Sequence, residues 1–170
     1  MIMANLQAAV RTRAWSTTRP RELCGELNRL MCHNIATQGF TTFFYALIER
    51  HSKRLTYCNA GHNPPIVISG NTVTRLGGGG AVLGVLEGGA YDDSDIRLRS
   101  GDRLLLYTDG ITESRNLHDE EFGEDRLIER IRAYKQVGTA TLAESVIDGA
   151  RRFSNGNFED DLTVVSICVD

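Results

Sequence analysis

Between residues 41 and 48 the chain alternates Phe43, Tyr45 and Leu47 with Phe44, Ala46 and Ile48, so an extended segment is apolar on both faces. This pattern predicts a strand covered from both sides. Ahead of it the apolar period is helical. Ala4, Leu6, Ala8, Ala9 and Val10 lie among good helix formers, and Leu23, Leu27, Leu30, Met31 and Ile35 define a second helix. Thr18 and Pro20 supply its start signals and Gly39 its stop. Residues 50–53 read as a hairpin turn, and short strands are expected around 55–58, 66–68 and 72–76. Gly77 to Gly80 form a four-glycine loop, and Gly84, Gly88 and Gly89 prolong the irregular region up to a strand at 96–99. Gly101 and Asp102 then turn the chain into a mostly apolar buried strand at 103–107. Leu127, Ile128, Ile131 and Tyr134 mark one amphipathic helix. Leu142, Val146, Ala150 and Phe153 mark another, which Thr141 and Glu144 would open as a capping box. Residues 162–169 form the last strand. The element order predicts an α+β fold, a β-core with helices outside.

Composition narrows this picture. A chain of 170 residues, 41% hydrophobic and 24% charged, holds enough apolar material for one substantial core. No repeat, linker or compositional boundary interrupts it, so residues 1–170 are expected to form a single domain. A net charge of -3 gives no general drive toward nucleic acid or anionic membrane. No apolar run approaches the roughly 20 residues needed to cross a bilayer, and the start lacks a signal-peptide layout, which predicts a cytoplasmic location. Cys24, Cys32, Cys58 and Cys168 make no C-x-x-C pair and are expected as free, mostly buried thiols.

Two carboxylates stand out. In Leu104-Leu105-Leu106-Tyr107-Thr108-Asp109-Gly110 an acid follows a buried strand directly, with a glycine that permits a sharp turn. A hard oxygen ligand at a rigid strand end can be aimed at magnesium or manganese, although Asp at such a place also serves simply as a turn cap. Asp160-Asp161-Leu162-Thr163 places a second acid at the entry to the last strand, where alternation allows only one of the pair to face a given site. An acidic cluster of this kind is more often a solvated turn. In Asn59-Ala60-Gly61-His62-Asn63-Pro64-Pro65 a strand runs into polar residues and is halted by prolines. His62 has the chemistry of an acid, base or ligand, and the commoner role of a turn residue whose ring bonds to backbone. The glycine run lacks the Lys-Ser/Thr ending of a P-loop, and no G-x-S-x-G elbow occurs. Metal-assisted chemistry is the class that remains.

Taken in order, Asn59 to Pro65, Leu83-Gly84-Val85, Gly101 to Glu113, Phe122-Gly123 and Asp160-Asp161-Leu162-Thr163 resemble the SpoIIE-type branch of the metal-dependent PPM protein phosphatases. The resemblance runs over nearly the whole chain. It implies a β-sandwich flanked by helices in α/β/β/α layers, and a phosphatase that removes phosphate from serine or threonine. It implies two Mn2+ or Mg2+ ions at one end of the sandwich, with Asp109 and Asp160 as catalytic metal ligands and a metal-activated water as nucleophile. Asn59, Gly61 and His62 become candidates for substrate contact. The implied partner is a phosphorylated regulatory protein, such as an anti-sigma-factor antagonist.

One family motif, Asp-x-x-Gly-His/Lys-Gly, whose aspartate bridges both metals, has no counterpart here, and Met1-Ile2-Met3-Ala4-Asn5-Leu6-Gln7 resembles the middle of the helix that follows it. The resemblance therefore implies a domain lacking its N-terminal portion. The expected consequence is an exposed sheet edge beside residues 43–48, with weak stability, self-association or completion by another polypeptide. It also opens a second functional reading, a catalytically inactive binding module or truncated gene product.

Overall fold

The computed structural model describes residues 2–14, 19–34, 39–134 and 136–170. Thr18 and Ile35, a start signal and a periodic position of the second predicted helix, lie outside these residues. Helices α1 (Ile2–Arg13) and α2 (Pro20–Asn34) come first. Seven strands follow: β1 (Phe43–Glu49), β2 (Arg54–Ala60), β3 (Ile66–Ser69), β4 (Thr72–Arg75), β5 (Gly79–Gly80), β6 (Ser94–Arg97) and β7 (Arg103–Tyr107). The chain ends with α3 (Asp109–Thr112), α4 (Gly123–Ala133), α5 (Thr139–Phe153) and β8 (Val164–Cys168). It divides into two compact units, one of residues 1–62 and 76–98 and the other of residues 63–75 and 99–170.

In the first unit β2 is the central strand, antiparallel to β1 through Phe43↔Ala60 to Glu49↔Arg54 and to β6 through Arg54↔Arg97 to Tyr57↔Ser94. Its inward positions Cys58 and Ala60 meet Leu23, Cys24, Leu27 and Met31 of α2 and Leu6 of α1, all buried. Helical spacing on α2 thus places its apolar stripe on the sheet, as the sequence pattern requires. Leu30 falls off that stripe and is exposed. All four cysteines are free, with Cys24 and Cys58 buried.

Strand β1 departs from the covered strand that its two apolar faces predict. It pairs with β2 alone among the described residues, its residues are half-buried at best, and Ile48 is 48% exposed. It is an edge strand, as the expected loss of N-terminal strands beside 43–48 implied, because apolarity on both faces records what a strand could bury and not how many neighbours it has. The glycine run also differs from a flexible loop. Gly79 and Gly80 form β5, parallel to Asn59 and Ala60.

In the second unit the strand order is β4-β3-β7-β8, all pairs antiparallel. Leu105 and Tyr107 of β7 and Ile66 and Ile68 of β3 face Leu127 and Ile131 of α4 and Leu142, Val146 and Ala150 of α5. The capping box is not formed. Gly138 occupies the N-cap of α5 and its carbonyl accepts the Leu142 N–H at 3.0 Å, so Thr141 already lies within the helix.

Tyr107 is 4% exposed, and burial, reinforced by the Glu124 charge and opposed by Arg75, pushes the pKa of its phenol from 10.0 up to about 12. A raised folded-state value means that the neutral phenol contributes its full stability below pH 10 and loses it as the pH rises through about 12. Alkaline unfolding of the parent is therefore expected in that window, with a shallower loss in Tyr107→Phe. Circular dichroism against pH checks this, and identical alkaline limbs would refute it.

Candidate metal centre

The exit of β7 and the entry of β8 form one end of the second sheet, because their register runs from Arg103↔Cys168 to Tyr107↔Val164. The segments that carry the two sequence-predicted acids are laced together just beyond it. The Thr108 N–H donates to Thr163 O at 3.1 Å, the Thr163 N–H to Thr108 Oγ1 at 3.0 Å, and Thr108 Oγ1 to Asp161 O at 3.1 Å. One threonine thus holds both strand ends in register. The sequence gives no warning of this role, since a threonine between a strand and an acid is unremarkable until its partner strand is known.

Asp109 is the first residue of α3, and one of its oxygens, Oδ1, accepts the Gly110 N–H at 3.0 Å. Asp160 repeats the arrangement, its Oδ1 accepting the Asp161 N–H at 2.7 Å. Both carboxylates are exposed. Among the described residues neither second oxygen accepts a hydrogen bond from the protein. Each acid is therefore oriented by its own backbone while keeping lone pairs for another group.

Gly110 is required for a reason other than the sharp turn read from the sequence. It lies inside α3, and a Cβ at this position would stand 2.6 Å from Asp161 O and 3.2 Å from Leu162 Cδ2. The glycine lets the two acid-bearing segments approach each other. Gly110→Ala is expected to destabilise the chain by about 1–3 kcal/mol through overpacking. Urea unfolding measures this, and an unchanged midpoint would contradict the close approach.

The candidate substrate residues belong to the first unit and largely brace a turn. Asn59 is 4% exposed. Its Nδ2 donates to His62 O at 2.9 Å and Leu76 O at 3.1 Å, and its Oδ1 accepts the His62 N–H at 2.7 Å. Gly61 has φ +73°, and an added Cβ would overlap Val82. The His62 ring bonds, through Nδ1, to the Thr42 hydroxyl at 3.2 Å.

Hard, exposed carboxylate oxygens suit Mn2+ or Mg2+, and Mg2+ is commonly held by one or two protein carboxylates with water and phosphate oxygens completing its shell. Asp109 and Asp160 fit such an ion in donor type. Among the described residues no group of three or more His, Cys, Asp or Glu side chains converges as a metal cage.

Two sheets with associated helices, and acids at one paired strand end, define a mixed α+β protein with the fold of PP2C phosphatase domains. The SiaA-PP2C domain of Pseudomonas aeruginosa superposes with a TM-score of 0.84 at 21% identity, over 99% of this chain and 68% of that one. A manganese-presoaked SpoIIE phosphatase domain of Bacillus subtilis gives 0.64 at 17% identity, over 99% and 73%. The family model for Stage II sporulation protein E matches residues 1–170, and the chain belongs to that family of PPM-type serine/threonine phosphatases. It is 28% identical over 149 residues to the phosphoserine phosphatase RsbU of Bacillus subtilis, covering 86% of this chain and 44% of RsbU. The chain spans 17% to 44% of the length of the curated relatives it matches. No described helix is long and apolar enough to cross a membrane.

Proposed function

We propose that residues 1–170 form one phosphatase domain in which Asp109 and Asp160 hold Mn2+ or Mg2+ for hydrolysis of phosphoserine or phosphothreonine on a regulatory protein. The observation that carries this reading is the pairing of β7 with β8 and the Thr108 hydrogen bonds, which tie the turn of Asp109 to the segment that carries Asp160 just before β8. Family membership and the similarity to RsbU, a phosphoserine phosphatase, support a phosphoserine substrate. The manganese-presoaked SpoIIE domain supports the choice of metal.

A divalent cation bound there supplies charge against the phosphoryl oxygens and acidifies a water. The chain's own residues do the rest. Asp109 and Asp160 present formal negative charge at fixed positions, Thr108 ties the two strand ends together, and Gly110 allows their approach. Asn59, Gly61 and His62 are the candidates for substrate contact in this proposal.

A specific observation also favours the second reading, an inactive binding module. Among the described residues no group of three or more His, Cys, Asp or Glu side chains stands ready to hold a metal ion. The deciding experiment combines manganese calorimetry on the full chain with hydrolysis of a phosphoserine protein, followed by phosphate release. Binding with metal-dependent turnover supports the enzyme. Binding without turnover supports the inactive module, and absence of binding overturns the metal assignment.

A further inference from the structure

Helices α4 and α5 enclose a groove of about 540 Å³ whose lining includes Arg126, Arg130 and Arg152 over Phe122 and Phe153, with Glu129 its single carboxylate. Its cationic character was legible only in part. Arg126 and Arg130 stand four residues apart on α4 and so share a face, but α5 supplies Arg152 from elsewhere in the chain.

Arg126 and Arg130 are placed without being neutralised. Arg126 donates from Nη1 to Glu121 O and Phe122 O, both at 3.0 Å, and its Cζ lies 4.6 Å from the Phe153 ring centroid. Arg130 lies along α5 where Gly149 leaves room, since a Cβ there would sit 3.0 Å from its Nε. Its Cζ is 5.9 Å from the Tyr134 ring centroid. None of the three takes part in an ion pair among the described residues. Glu144 and Asp148 border a smaller recess beside Arg130 and Arg152, and Asp148 is paired with Arg151 at 2.9 Å. The edge-to-face pair Phe122 and Phe153, with centroids 5.6 Å apart, gives the cationic groove an aromatic wall.

Guanidinium groups without carboxylate partners beside an aromatic wall, between two roughly adjacent helices, suit a third helix that brings its own acids and an apolar anchor. We propose that the α4–α5 groove docks an acidic amphipathic helix of a partner protein. The partner's carboxylates bridge Arg130 and Arg152, and its apolar side chain rests against Phe153 and Phe122. The edge-to-face aromatic wall, which receives an apolar side chain, favours an amphipathic acidic peptide over nucleic acid as the occupant. This docking does not depend on the metal centre.

The test uses the full chain and a fluorescein-labelled helical peptide with glutamates flanking a leucine stripe, compared with its glutamine counterpart by fluorescence anisotropy. Saturable binding of the glutamate peptide is expected, with affinity about tenfold or more lower for the glutamine peptide and for Arg130→Glu with Arg152→Glu. Gly149→Ala tests the shape of the groove at constant charge and is expected to weaken binding by pushing the Arg130 guanidinium aside. Thermal melting establishes that each variant folds. Should the double variant unfold, Arg152→Glu alone, on an exposed residue, carries the comparison. Equal binding of the two peptides, equal binding by parent and folded charge variants, displacement by inorganic phosphate alone, or preference for a DNA oligonucleotide would each overturn the proposal.

Discussion

Asp109→Asn is expected to weaken manganese binding by roughly tenfold to a hundredfold, with phosphoprotein hydrolysis falling at least in proportion. The substitution is close to isosteric. Its amide oxygen can still accept the Gly110 N–H that Asp109 Oδ1 accepts at 3.0 Å, so the first turn of α3 keeps its local brace. What disappears is the formal charge at the β7 exit. Asp160→Asn should behave alike, because its Oδ1 bond to the Asp161 N–H at 2.7 Å can also survive the change. Calorimetry with manganese reads the affinity, and a thermal melt without metal reads the fold. If both variants bind manganese as the parent does, the two strand-end acids are turn residues and the metal assignment fails.

The second large effect concerns stability. Gly79→Ala is expected to cost about 2–6 kcal/mol, the sum of roughly 1–3 for a side chain in a glycine conformation and roughly 1–3 for overpacking. Gly79 has φ +128°, and its absent Cβ would lie 2.5 Å from Asn59 N and 2.6 Å from Asn59 O. Those are backbone atoms of the central strand and cannot swing aside as a side chain would. The displacement would also disturb the neighbouring Asn59 side chain, whose amide satisfies two carbonyls. A loss of this size is a large fraction of the stability of an ordinary domain. Urea denaturation measures it. By contrast, Gly78 has open space at its Cβ position, so Gly78→Ala carries the backbone strain of its φ of +83° without the collision. Equal losses in the two variants would show that the close approach of β5 to β2 contributes nothing.

The edge position of β1 bears on both results. Seven residues pair on one side with β2, and no described strand takes the other. Apolar residues on an unpaired edge are a recognised route to self-association. Measurements on the isolated chain therefore belong alongside its sedimentation behaviour.

Much of the fold was legible because burial imposes a period. The Leu23, Leu27 and Met31 stripe announced α2, and the Leu127, Ile128 and Ile131 stripe announced α4, since a helix that buries one face must repeat its apolar residues at helical spacing. The apolar run before Asp109 announced a buried strand for the same reason. The family resemblance arose from ordered short motifs, several of which coincide with tight backbone positions such as Gly61 and Gly110.

Neighbour identity was not legible. Residue type at 43–48 specified two apolar faces and no neighbours, and the exposed edge there was expected only through the family resemblance. A four-glycine run looked like slack chain, whereas Gly79 is glycine so that one backbone can lie against another. Asp109 and Asp160 were two separate strand-end acids in the sequence, 51 positions apart in its numbering. The β7–β8 register and the Thr108 hydrogen bonds brought their segments together. The sequence by itself determined the helical stripes of α2 and α4 and the apolar run of β7, because burying one face of a helix, or a whole strand, is a local demand of solvation. Only the tertiary structure decided which strand ends, and which helix faces with their arginines, would share a site, because that depends on pairing between segments far apart along the chain.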